Sequence, residues 1–110
     1  MGDISNIVVY KDGELELKVS VNEETIWLTQ KQLAELFKVS KQNVSLHINN
    51  IFNEKELHKK STVKFFFIVQ KEGNRDVKRK VLYYNLDMVI SVGYRVNSDR
   101  AIQFRRWATY

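Results

Sequence analysis

The chain has no cysteine, no proline and only four glycines in 110 residues, and each shortage removes a class of function. Without cysteine there is no disulfide, no thiolate zinc site and no Cys nucleophile, and nothing argues for an oxidising compartment. With no proline and so little glycine, no stretch reads as a linker that would divide the chain, and no glycine-rich loop is present to cradle a phosphate. A single domain over residues 1–110 is therefore expected, at about the modal domain length. The two histidines, His47 and His58, have no partner His or acid at a recognised ligand spacing, so each reads as a helix-surface residue and no metal is expected. Nucleophile-elbow and HxE zinc motifs are missing as well, which leaves no catalytic residue to nominate, no cofactor to expect and a non-enzyme as the reading. Long apolar runs are also lacking. The start, MGDISNIVVYKDGELEL, has no signal-peptide layout, and no run approaches the roughly 18 apolar residues of a membrane span. A bacterial-type cytoplasm is the expected compartment.

What is present is apolar surface and unevenly placed charge. A hydrophobic fraction of 44% with 12% aromatics supplies a core without staples. The net charge of +5 is modest, but its distribution is informative. Residues 1–40 hold four Lys against seven acids, net −3; residues 41–80 hold ten Lys and Arg against four acids, net +6; residues 81–110 hold four Arg against two acids, net +2. The basic segment opens at Lys41.

Residues 7–10 are β-branched and aromatic, Lys11-Asp12-Gly13 supplies a turn, and Leu15, Leu17, Val19 and Val21 alternate with polar residues, which predicts a half-buried hairpin. Asn22-Glu23-Glu24 reads as the next turn and Thr25-Ile26-Trp27 as a third strand, so an antiparallel β-meander opens the domain. Thr29 is placed to cap a helix over Gln30–Phe37, and Ser40 a second over Lys41–Asn53. Residues 62–70 and 77–84 are β-rich and joined through Glu72-Gly73-Asn74-Arg75-Asp76, which predicts a second hairpin. Asn85 reads as the cap of a helix from Leu86 to about Tyr94. Asn97-Ser98 reads as the start of another that has no stop signal, so a longer natural chain continuing past Tyr110 is expected.

The string TQKQLAELFKVSKQNVSLHINNIF carries the functional expectation. It places Leu33, Ala34 and Phe37 on one face of a short helix, Val39 in the turn, and Val44, Ile48 and Ile51 or Phe52 on one face of the next, which are the packing positions of a helix-turn-helix. Lys41, Gln42, Asn43, Ser45, His47, Asn49 and Asn50 are then left on the outer face, where short polar side chains can address base edges and phosphates. Lys38 stands where many such turns have Gly, so the turn must adopt a conformation that a side chain tolerates. Leu46 lies on or beside the exposed face. The segment 71–80 follows with Lys71, Arg75, Lys78, Arg79 and Lys80, the make-up of a basic wing that gains by releasing counterions from phosphates; a charged edge guard is the competing reading. Phe65, Phe66 and Phe67 put aromatics on both faces of one strand, and core packing is the expectation for them, ahead of a dimer contact and of base stacking. In the last helix Ile102 with Arg105 and Arg106, and Phe104 with Trp107 and Ala108, put an apolar stripe beside a basic one; Arg95, Arg100, Arg105 and Arg106 are candidate phosphate contacts, with solvated helix faces as the competing reading.

The runs WLTQKQLAELF, HINNIFNEKEL and YYNLDMVISVGYRVNSDRAIQFRRWAT also resemble the N-terminal region of the RhuM virulence-protein family over about residues 24–109. The resemblance implies a bacterial protein of pathogenicity islands, mobile elements or defence clusters, of DNA-binding or regulatory character, within a longer natural chain. Similar sequences tend to have Arg where Leu46 stands, so a contact expected from that Arg is missing here. Together these readings predict an α+β winged helix-turn-helix: a meander, the helix pair over residues 28–53, a wing over 62–84 and helices over 85–110. The expected partner is double-stranded DNA, with a homodimer as candidate assembly and with no membrane or small-molecule substrate. A protein-interaction module, antitoxin-like or adaptor, is the alternative, and an enzyme whose catalytic part lies beyond Tyr110 is a third class.

Overall fold

The computed structural model describes residues 6–23 and 25–109, so the expectations for residues 1–5, for Glu24 in the second turn and for the chain's end at Tyr110 lie outside the described residues. Strands β1 (Asn6–Asp12) and β2 (Leu15–Asn22) pair antiparallel across Gly13-Glu14, and Gly13 takes a φ of 64°. That left-handed value at the first turn position is one glycine adopts without steric cost. Alternation buries Tyr10, Leu17 and Val19 on one side. Strand β3 (Thr25–Leu28) pairs with β2 and leads into α1 (Gln30–Phe37) and α2 (Lys41–Asn53).

Both helix starts follow from their caps. The Thr29 hydroxyl accepts from the Gln32 backbone N–H at 3.1 Å while the Gln32 side chain accepts from the Thr29 N–H at 3.0 Å, and Ser40 Oγ accepts from the Asn43 N–H at 3.0 Å. A short helix, α3 (Lys59–Thr62), precedes strand β4 (Val63–Glu72), where the sequence reading has a strand already at Thr62. The Thr62 hydroxyl, buried there, donates to the His58 carbonyl at 2.7 Å, a local bond that favours the turn over the strand. Strand β5 (Arg75–Asn85) returns from Gly73-Asn74, the Asn85 side chain caps α4 (Leu86–Arg95), and α5 (Arg100–Thr109) follows. Asn97 closes α4 at a φ of 54° and does not open the next helix, which begins at Arg100. The fold is thus α+β, with an opening meander and closing helices as expected.

All strand pairs are antiparallel, in the order β1-β2-β3-β5-β4. The main core joins one sheet face to the helices, with Leu28, Leu33, Leu36, Val44, Ile51, Met88, Val89, Val92 and Phe104 fully buried. Strand alternation sends Trp27, Phe66 and Tyr83 to the other face, where their rings meet edge-on at centroid distances of 6.0 and 5.0 Å. Only Tyr84 and Asn85 of β5 pair with β3, but the hairpin still packs on Trp27 as far as Ile68 and Val81, and beyond them residues 69–78 run on as a free ribbon roughly 13 Å long.

Candidate nucleic-acid interface

Helix α2 is seated by Val44, Ile48 and Ile51, all buried, and its start is tied to α1 by the Gln30 side chain, which donates to the Lys41 carbonyl at 3.0 Å. Burial of those three positions fixes the opposite stripe as Gln42, Leu46, Asn49 and Asn53, four exposed residues at the i, i+4, i+7 and i+11 spacing of one helix face. Leu46 stands in the middle of it, 56% exposed, with amide side chains on either side along the axis. Lys41 is exposed at the first turn, and Asn43, Ser45 and His47 sit half-buried on the flanks. Of the α2 residues expected on the outer face, Gln42 and Asn49 therefore point outward most directly. Asn53 belongs to the same stripe although the sequence reading passes over it; its spacing from Gln42 and Leu46 is the signal that marks it.

The turn between the helices keeps the left-handed form that glycine favours and does not take the conformation easy for a side chain that Lys38 implied. Lys38 sits at φ 57°, ψ 46°, and the Val39 N–H donates back to the Ala34 carbonyl at 3.1 Å. The far end of α2 is fixed by Arg95 of α4, whose guanidinium donates to Glu54 at 2.7 Å and to Glu56 at 2.8 Å. Hydrogen bonding to Arg95 holds both carboxyls below their ordinary range, and the same bonds push the Arg95 guanidinium up. Arg100 is likewise occupied, near Asp12 at 3.8 Å and donating to the Leu36 carbonyl at 3.3 Å. Those two arginines of the C-terminal helices serve the fold and not a free basic stripe.

On the hairpin, Arg75, Lys78, Arg79 and Lys80 are all exposed, but alternation divides them. Arg79 and Arg75 share a face with Glu72, and Arg79 Nε donates to the Glu72 carboxylate at 2.9 Å. Lys78 and Lys80 lie on the face of Phe65, Phe67, Val69 and Leu82, the face that continues inward to Val63 and Tyr84 of the main core. There the Lys80 ammonium sits 4.1 Å from the Phe65 ring centroid and that of Lys78 4.7 Å from Phe67. Lys71 pairs with Asp76 at 3.9 Å on the same face, and among the described residues no acid lies within ion-pair distance of Lys78 or Lys80.

The aromatic run corrects the expectation of core packing. Phe66 is buried, at 1% exposure, whereas Phe65 and Phe67 are 47% and 42% exposed. On that face of the hairpin the main core ends at Val63 and Tyr84, short of the outward ring pair, and three consecutive Phe could not reveal on which side cover would stop.

No curated protein and no solved structure matches the chain. A family model, that of the Virulence protein RhuM family, matches residues 61–110, which takes in the hairpin and the two C-terminal helices and stops short of α2. The resemblance expected over residues 24–109 is thus carried by its C-terminal part, residues 61–110, which are similar to the Virulence protein RhuM family.

Proposed function

We propose that this chain is a winged-helix module that binds double-stranded DNA, with α2 in the major groove and the β4–β5 hairpin along the phosphates. The observation that carries the reading is the outer face of α2, a stripe of amides around one Leu that is followed in the chain, after the short α3, by a projecting cationic hairpin. The connectivity supports it: a strand, a helix pair and a hairpin whose second strand returns to pair with the first is the order of elements in a winged helix. Gln42 and Asn49 address adenine N6 and N7 through their amides, Asn43, Ser45 and His47 lie at the edges of the same surface, and Leu46 meets the C5-methyl of thymine. Lys41, Arg75, Lys78, Arg79 and Lys80 take phosphates, which set position and not sequence. Such a module suits a transcriptional regulator or the DNA-targeting part of a virulence or mobile-element protein. No helix among the described residues is long and apolar enough to cross a membrane.

Selection of bound duplexes from a random pool, followed by anisotropy titrations at several salt concentrations, tests this. An enriched site and an affinity that falls with a log–log salt slope of about −0.9 per phosphate contact are expected. Salt-insensitive binding or no enrichment would hand the chain to the second reading, a protein-interaction module, which the exposed Phe65 and Phe67 favour.

A further inference from the structure

The hairpin face that carries Phe65 and Phe67 has features that a phosphate-tracking wing does not need. Its apolar residues, Phe65, Phe67, Val69 and Leu82, are all at least 39% exposed, and its Lys78 and Lys80 are folded down against the rings. Lysines that only guard an edge or only follow a backbone have no need of an aromatic floor. We propose that this face binds single-stranded nucleic acid, with unpaired bases stacking on Phe65 and Phe67 and the neighbouring phosphates taken by Lys80 and Lys78.

The spacing fits that partner. Phe65 and Phe67 are two residues apart on one strand and so lie roughly 7 Å apart, about twice the 3.4 Å rise between stacked bases. Neighbouring bases reach both rings only from a strand that is unstacked and extended. A duplex keeps its base faces inside the stack and offers this surface phosphates alone. Stacking with a cation beside the ring is sequence-tolerant, because every base presents a flat π-face.

Charge selects against a second copy. Two such faces brought together would set Lys78 and Lys80 against their counterparts, and the nearest acid on the face, Asp76, is engaged with Lys71. The occupant must bring negative charge and flat apolar groups at one repeat, which a strand of unpaired nucleotides does at every residue. Lys78 and Lys80 meet phosphates in either case, but the stacking rests on Phe65 and Phe67, which the duplex reading leaves idle, and does not involve α2.

The test compares two labelled oligonucleotides with equal phosphate number, dT12 and a 12-mer whose central six positions are abasic, by anisotropy with the whole chain at low salt. Stacking predicts tighter binding of dT12, by roughly 5- to 150-fold per base engaged. The double variant Phe65→Leu, Phe67→Leu keeps apolar β-compatible side chains while removing both rings. It should lose that preference and keep its affinity for duplex, whereas Gln42→Ala with Asn49→Ala should do the reverse. Equal affinity for the two oligonucleotides, or no binding of dT12, overturns the proposal with no variant needed. Retention of the preference in the Leu variant also overturns it, as does binding of an acidic, aromatic-rich peptide by the same face in place of either oligonucleotide.

Discussion

Three of the helices close on residues in the left-handed region that are not glycine. Lys38 after α1, Lys55 after α2 and Asn97 after α4 have φ values of 57°, 60° and 54°. In each case an N–H beyond the helix returns to a carbonyl five residues back, Val39 to Ala34, Glu56 to Ile51 and Ser98 to Gly93, which satisfies an otherwise orphan acceptor. Glycine is in short supply here: Gly13 and Gly73 are spent on hairpin turns at positive φ, and Gly93 fills a third need. A Cβ at Gly93 would run into the Cβ of Ala101 and press on the Phe37 ring, because α4 and α5 cross there. Gly93→Ala should therefore destabilise by about 1–3 kcal/mol in a urea titration. Lys38→Gly should act in the other direction. It relieves a left-handed L-residue, a cost of about 1–2 kcal/mol, against the greater freedom glycine has when unfolded, so a net gain of about 0.5–1 kcal/mol is expected as a higher urea midpoint at unchanged m-value. The demand at Lys38 is legible in the sequence, since the helix-pair pattern fixes where the turn must fall. The demand at Gly93 is not, because it arises from where α5 lands.

At the scale of elements, helices are most legible where a cap and an apolar period coincide. Thr29, Ser40 and Asn85 each accept the predicted first-turn N–H, and α1 and α2 occupy the expected residues. The four-residue α3 has neither period nor side-chain cap, so nothing in its sequence announces it. Ile48, 3% exposed between α2 and its neighbours, is the residue on which the helix pair depends. Truncation to Ala should cost about 2–5 kcal/mol, and a loss below about 0.5 kcal/mol in denaturant would mean that α2 is not packed through that face. The Arg95 clamp at the end of α2 gives a pH signature. Because Glu54 and Glu56 are held below the usual value of 4.5, their contribution is present above that pH and is lost as the pH falls through the lowered values. Both carboxylates are largely exposed, so the effect is small and salt-sensitive. In urea titrations between pH 6 and 3, Arg95→Gln should show a flatter acid limb than the parent, with the two curves converging at the acid end.

For the molecule as a whole, the uneven charge along the chain foreshadows where a basic surface lies, but the pairing of β3 with β5 across more than fifty residues leaves no local mark. That pairing makes the hairpin a separable arm. Both apolar clusters end by Ile68 and Val81, and of residues 69–72 and 75–78 all but the half-buried Val77 are exposed. The arm can therefore be shortened without touching the core. Ile68 faces Arg79 four steps inward from the Glu72–Arg75 pair that flanks the turn, so it is the same kind of hydrogen-bonded site in the antiparallel ladder. Deleting residues 69–72 and 75–78 then rejoins Ile68-Gly73-Asn74-Arg79 in register with every remaining side chain on its original face. The shortened chain should melt cooperatively within a few degrees of the parent, since no buried side chain is removed. Its duplex affinity should fall alike on selected and scrambled sites, and its salt slope should become shallower by about 0.9 for each phosphate that Arg75 and Lys78 no longer neutralise. Replacing Lys80 by Ala in the shortened chain should lower the slope again. In the parent, Arg79→Ala should matter less than Lys80→Ala, because Glu72 already occupies the Arg79 guanidinium. A slope that survives the deletion unchanged would make the arm a guard for the β4 edge, and a collapse of the melting temperature would show that the tip packs on the body of the domain.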